Sequence, residues 1–494
     1  EGYFEYMIEN GEVRITKFIE DTSTEIVEIV IPDKIQGYPI TEIGYRAFDS
    51  DNISSISIPN SVTVIEDRAF SNCRNLNSIN IPNSVTTIAN GVFEGCSKLS
   101  DISIPNGVVS IGSYAFSSCD SLSKISIPNS VTSIGEGAFS SCINLSGSIN
   151  ISSNIISIGK KAFYNCRNLK EIIVAEDNKQ YSSLDGGLYD KNKKILYCVP
   201  GGKEGSNYVI PNSVTSIEEG AFRSSSLSSI TISNSITSIA KETFCDCDNL
   251  TSIIIPDSVT SIGESAFVSC DKLSNVSIPN GVTSIGMSAF RSCSRLSNIN
   301  ISNSVTSIER ETFYDCPSLR TITIPNSVTS IGREAFSNCR NLNSIIIPSS
   351  VTGIEHQTFF NCSNLSSIII PSSVINMGRE VFTGCDNLTE IIVDEDNNNY
   401  SSLDGVLYDK NKEILYCMPM GKEVSDYIVP NSVTTIKDYA FYCCYNLSSI
   451  SVPSSVISIG DDTFYNCDDI VIKTPKGSYA ETYAKEHDML YQNE

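Results

Sequence analysis

Eighteen cysteines, two histidines and a few grouped carboxylates are the residues of this 494-residue chain whose types could do chemistry. Thiols at zinc or disulfide spacing, a histidine beside a nucleophile, or clustered carboxylates around calcium would each be a recognisable constellation. The spacing argues against all three. Fourteen cysteines sit three residues after a phenylalanine, from Cys73 to Cys467, and no C-x-x-C pair with zinc spacing occurs. Placed once per period, they predict a ladder of small buried thiols about 5 Å apart, with parallel side chains that fit a disulfide dihedral poorly. His356 lies in an ordinary period and His487 near the C-terminus, neither beside a nucleophile signature. Asp394, Glu395, Asp396 and Asn397 to Asn399 offer oxygen ligands. The matching stretch Ala175, Glu176, Asp177, Asn178, Lys179 replaces two of them, and neither follows the spaced loop of a calcium hand. A solvated turn is the expectation there. With no Gly-rich phosphate loop either, the chain reads as a non-enzyme with no cofactor, no metal and no catalytic residue.

The elements that carry these residues repeat. The stretch Ser123 to Cys142, SKISIPNSVTSIGEGAFSSC, recurs along the chain, and its phenylalanine returns from Phe48 to Phe464 in steps of 23 with a few of 22 or 24 and two of 59. A fixed period of this size, carried by apolar positions, predicts stacked coils in one long domain rather than a globule. Ile125-Ser126-Ile127 alternates as a strand does, and Pro128 lacks the donor to continue it. Val131, Ile134 and the Ala138-Phe139 pair then recur near the helical spacing, which predicts a short helical turn, with Gly135 permitting the bend between them.

At the ends the pattern changes. Tyr3 to Ile8 and Val13 to Phe18 alternate around Asn10-Gly11, a two-residue hairpin signal, so residues 1–26 are read as a capping hairpin. Residues 27–472 form the solenoid, and residues 473–494 a second cap, with Ser478 opening a short helix through Ala480, Tyr483 and Ala484. The start at Glu1, without a Met, reads as a processed or cut boundary. A net charge of −23, from 57 acidic and 34 basic side chains, disfavours nucleic acid and anionic lipid, and no apolar run is long enough to enter a membrane as a span.

The steps of 59 each hold one period plus 36 residues, and the two inserts, at 175–207 and 394–426, are near copies within a block repeated at an offset of 219. In each, apolar stretches flank a polar DKNK turn, as in a protruding β-hairpin. Tyr189, Asp190, Lys191 and Tyr197, with their copies Tyr408, Asp409, Lys410 and Tyr416, are the binding candidates, since amphipathic rings and charges carry contact energy. The tyrosines would equally serve by packing the hairpin onto the coil. Along the strands the outward positions are mostly Ser, Thr and Asn. Ile346 and Ile369, on neighbouring coils, are exceptions that could seed an apolar patch.

The coil IPNSVTSIGREAFSNCRNLNSIIIP, from Ile324 to Pro348, resembles the repeat of BspA-type leucine-rich repeat proteins, which are abundant on the surfaces of bacteria and some protists. The resemblance extends to the N-terminal hairpin, the two LDG-x-LYD inserts and the GSYAETYA ending. It implies an α/β leucine-rich repeat solenoid, a right-handed superhelix with a parallel concave β-sheet, short helical turns on the convex side and β-hairpin insertions. It further implies adhesion or protein binding at a cell surface or after secretion. An extracellular protein or glycan ligand and a monomeric state are the expectations. The alternative is a structural spacer rod that holds another domain away from a cell surface.

Overall fold

A computed structural model describes residues 3–19, 26–467 and 469–494 of the chain. Residues 1, 2 and 20–25 of the expected N-terminal cap lie outside the described residues. The chain divides into two compact units, one of residues 1–236 and 240–249, the other of residues 237–239 and 250–494.

In the first unit, the strands Phe4–Glu9 and Glu12–Phe18 pair antiparallel around Asn10 and Gly11, both at positive φ as a two-residue hairpin requires. The second strand pairs in parallel with Tyr38–Ile43. Phe4 and Phe18 come within 6.0 and 5.7 Å of the Phe48 ring, so the hairpin buries the first coil's aromatic face. From there the coils place short strands in two parallel stacks, although residues 125–127, where the alternation predicts a strand, form none. One stack is seen in Val27–Val30, Ile53–Ser57 and Ser78–Ile79, and the other in Thr87–Ile88, Ser110–Ile111, Ser133–Ile134 and Ser157–Ile158. The second stack comprises the positions that the spacing assigned to the start of a helical turn. Strand pairing wins there because each Ser-Ile pair meets its copy in the next coil at the same height.

The turn that carries phenylalanine also differs from expectation. Among the described residues the one helix is Tyr479–Glu486, and no coil contains another. Around Phe116, Tyr114 and Ser118 are left-handed (φ 56 and 58), and the same two positions, two before and two after the phenylalanine, are left-handed in coil after coil. Left-handed backbone costs about 1–2 kcal/mol for a residue with a side chain. Here it turns alternate amides along the stack: Tyr114, Phe116 and Ser118 donate to the carbonyls of Glu136, Ala138 and Ser140 of the next coil, at 2.7, 2.7 and 2.8 Å. An α-helix would spend those amides within its own turn. The inter-coil ladder therefore replaces the helix.

Inside this turn the phenylalanine rings stack, at 5.1 to 5.8 Å between centroids from Phe48 to Phe163. The ladder cysteines lie beneath them. Cys96, Cys119 and Cys142 donate their thiols to the carbonyls of Phe70, Phe93 and Phe116 at 3.1, 3.2 and 3.0 Å. None of the cysteines is in a disulfide. Burial pushes the Cys142 thiol up to about 12.

The second unit is built in the same way. Its strands include Thr321–Thr323 paired with Ser344–Ile346, and Ser367–Ile370 paired with Glu390–Val393, while the rings from Phe313 to Phe382 stack at 5.5 to 6.0 Å. At its end Ser478 accepts the N–H of Glu481, whose carboxylate accepts that of Gly477, a reciprocal cap at the start of the helix. The helix lays Tyr483 edge-on against Phe464 at 6.1 Å and so covers the last ring of the stack.

Candidate functional site: the twin inserts and their clefts

Each insert is a three-stranded meander rather than a lone protruding hairpin. In the first, Tyr181–Leu184 pairs with Gly187–Asp190 around Asp185 and Gly186, both at positive φ. Gly187–Asp190 pairs with Ile195–Cys198, which runs parallel to Ser216–Ile217 of the following coil. The second copy repeats this with Tyr400–Leu403, Val406–Asp409, Ile414–Cys417 and Thr435–Ile436. The meander is thus sewn into the coil stack along its third strand.

A buried asparagine fastens each copy. Asn178 donates to the carbonyls of Ser152 and Ile155 at 2.7 and 3.0 Å and accepts the N–H groups of Gln180 and Tyr181, both at 2.8 Å. Asn397 does the same with Pro371, Val374, Asn399 and Tyr400. Its amide is therefore fully used within the fold. Asp394 turns its carboxylate onto the N–H of Asp396, at 2.9 Å.

The binding candidates fall into three groups. Tyr189 and Tyr408 do not reach the surface: both are 0% exposed, and their hydroxyls meet those of Tyr208 and Tyr427. The expectation that they offer rings to a partner fails, because both rings are enclosed in the core, each against a second tyrosine. Tyr208 stands edge-on to Phe222 at 5.5 Å in the first copy, and Tyr427 lies 6.0 Å from Phe441 in the second. Asp190 and Asp409 build the DKNK turn, accepting the N–H groups of Ile195 and Ile414 at 2.6 Å. Lys191 and Lys410 reach back to the carbonyls of Glu176 and Glu395 at 2.9 and 3.0 Å. Tyr197 and Tyr416 are half-buried, edge-on to Tyr181 and Tyr400. Ile346 and Ile369 are 78% and 59% exposed, on strands that neighbour each other. Ile392, aligned with Ile369, adds 39%.

Beside each meander lies a cleft that the sequence reading missed. A regular coil takes five residues from the isoleucine of its second strand to the phenylalanine whose N–H bonds the next coil, as from Ile134 to Phe139. The insert takes three, from Leu196 to Val199, whose N–H reaches Ala221 O at 2.7 Å, and from Leu415 to Met418, which reaches Ala440 O at 2.8 Å. The shorter turn leaves the inter-coil ladder incomplete. Among the described residues nothing accepts the N–H groups of Lys161 and Phe163, or of Glu380 and Phe382. These four residues line the two clefts, together with Leu188, Tyr197 and Cys198 in one and Leu407, Tyr416 and Cys417 in the other.

The two clefts differ at the mouth. In the first, Lys161 bridges to Glu219 at 2.9 Å, and Tyr164 donates to Glu242 while its ring lies between Lys161 and Arg223, 4.9 and 4.8 Å away. Burial, and then the bond to the Glu242 carboxylate, push the Tyr164 hydroxyl well up. At the same offsets the second cleft has Glu380, Asp438 and Thr383: two acids in place of a bridge, and no ring. Glu380 accepts from Gln357 at 2.9 Å instead, and Arg379 approaches Asp438 only to 3.9 Å. The cavities measure about 120 Å³ and about 530 Å³ respectively. The offset of 219 was the available signal, since it aligns Lys161 with Glu380 and Glu219 with Asp438.

The family model of the BspA type leucine rich repeat region (6 copies) matches residues 41–170, 202–320, 306–404 and 416–483. The chain belongs to the BspA-type leucine-rich repeat family. The first of three solved structures agrees on the fold. A leucine-rich repeat protein from Eubacterium ventriosum is 24% identical with a TM-score of 0.53, over 78% of this chain and 93% of its own. A leucine rich cell surface protein from Faecalibacterium prausnitzii is 27% identical over 80% of this chain and 93% of its own, with a TM-score of 0.45. The pneumococcal vaccine antigen PcpA is 20% identical over 93% and 98%, with a TM-score of 0.41. Among curated proteins, none matches the sequence. No helix of the described residues is long and apolar enough to cross a membrane.

Proposed function

We propose that this BspA-type chain is a non-enzymatic binding module, displayed at a cell surface or secreted, that engages an extracellular protein or glycan through its outward strand face. The exposed ladder of Ile346, Ile369 and Ile392 carries this reading, because a contiguous apolar patch on otherwise polar strands is a common mark of an interaction surface. The buried thiols suit an oxidising setting, since burial holds Cys142 and Cys339 up at about 12 and keeps the reactive thiolate scarce. The acidic net charge of −23 keeps nucleic acid an unfavourable partner.

The test is capture of extracellular matrix proteins and intact cells by the chain and by its Ile346→Asp, Ile369→Asp double variant. Loss of capture with unchanged unfolding supports the reading, and equal capture refutes the ladder as the site. A second reading, a spacer rod, is favoured by the complete burial of Tyr189 and Tyr408, which makes the meanders part of the stack rather than displayed loops. It predicts no capture by either protein.

A further inference from the structure

In the second cleft, main-chain donors, open volume and amphipathic walls coincide. In the regular coil just before it, the amides at the phenylalanine and two residues earlier meet the carbonyls of the next coil: Gln357 and Phe359 donate to Arg379 and Val381, both at 3.0 Å. Glu380 and Phe382 present the same pair of donors without the next layer. Phe382 is only 4% exposed, and it lines the cleft together with Glu380. An unpaired buried N–H is costly, and what pairs its counterparts in the regular coils, as at Gln357 and Phe359, is a polypeptide backbone with carbonyls two residues apart. We propose that the second cleft takes an extended segment of a partner polypeptide, whose alternate carbonyls accept the N–H groups of Glu380 and Phe382.

The size and the walls fit that occupant. A volume of about 530 Å³ lies within the usual range for ligand sites, and the first cleft, at about 120 Å³, lies below it. The first cleft is also latched by the Lys161 to Glu219 bridge and plugged by Tyr164, whereas Glu380 and Asp438 leave the second unlatched. Tyr416 and Tyr439 give half-buried rings for side chains of the incoming segment. Arg379 and Lys437 balance Glu380 and Asp438, so the site favours a segment without a strong net charge. Main-chain bonds would give affinity and the rings and charges selectivity, as in other strand-addition sites. This deepens the protein-binding reading but stands on residues separate from the isoleucine ladder.

The probe is a display library of random linear peptides, about nine residues long, selected on the full chain. Recovered peptides are expected to slow hydrogen exchange at the amides of Glu380 and Phe382. They should lose at least about tenfold in affinity for the double variant Glu380→Lys, Thr383→Tyr, which copies the latched cleft, and bind Ile346→Asp unchanged. Peptides that bind the latched variant as tightly, or that leave both amides exchanging freely, would overturn the proposal. So would equal protection of those amides by inorganic phosphate, which would make the cleft an anion site. Peptides lost only with Ile346→Asp would sustain the ladder and sink the cleft. If the latched variant folds poorly, the exchange measurement on the unaltered chain still decides.

Discussion

Asn178 and Asn397 make the same four hydrogen bonds 219 residues apart, while Lys161 and Glu380, at the same offset, carry opposite charge. The interior of the two meanders is fixed: asparagine clamp, paired tyrosine hydroxyls, aspartate turn. The rim is not. What separates them is the cost of change at each place. A buried asparagine with every donor and acceptor used has no substitute of the same shape and chemistry, whereas a half-exposed ion pair contributes little and can be exchanged for repulsion at modest cost. The duplicated block has therefore kept one way of joining insert to coil and produced one closed and one open cleft.

The largest effect should come from what both copies share with the whole stack, the thiol ladder. An exposed thiol titrates near 9.0, and Cys142 and Cys339 are held up at about 12 by burial. Below pH about 9 folded and unfolded chains keep these protons alike, and this contribution to stability is intact. As the pH rises from about 9 toward about 12 the unfolded chain ionises first, so stability falls throughout that window. Denaturant midpoints measured at about pH 8 and about pH 11 should drop together in both units. A midpoint that does not move would break the picture of a protonated, buried ladder.

Next in size, Asn178→Ala and Asn397→Ala should each cost about 2–4 kcal/mol by stranding two buried carbonyls and two amides. Amide exchange at Tyr181 and Tyr400 should accelerate by matching factors in the two variants. Unequal losses would show that the interiors are less alike than their hydrogen bonds suggest.

A smaller effect separates the rims. Lys161→Glu, which gives the first cleft the second's charge, should cost up to about 1 kcal/mol after allowance for solvent screening, and less at high salt. It is checked by the denaturant midpoint together with increased exchange at the Phe163 amide. The smallest is the reverse change. Glu380→Lys, facing Asp438, should gain a few tenths of a kcal/mol, and a loss instead would mean that the bond from Gln357 to Glu380 matters more than the missing bridge.

Much of the architecture was legible because apolar spacing reports burial directly: from Phe70 and Cys73 onward the phenylalanine of each period is buried, together with its cysteine wherever the period has one. The turn was misjudged for a definite reason. Val131, Ile134 and the Ala138-Phe139 pair have a spacing that suits a helix, and the left-handed positions two residues before or after the phenylalanine are filled by glycine in some coils, as at Gly91 and Gly95, but by arginine, glutamate or glutamine in others, as at Arg68, Glu334 and Gln357. Those side chains carry no local signal for positive φ, and it is the bonds to the next coil that hold them there.

Sequence by itself determined the period, the buried ladder, the position of the inserts and their near identity, since each is a matter of which residue recurs at which interval. Tertiary structure decided the rest. That Tyr189 and Tyr408 are core and Tyr197 and Tyr416 are rim follows from which side of a three-stranded meander meets the stack, a register no spacing rule specifies. The clefts exist because a turn two residues short is laid against a neighbour of full length, so two amides lose partners that lie far away in the chain. Local sequence encodes a donor in every residue but proline, and only assembly decides which of them go without an acceptor.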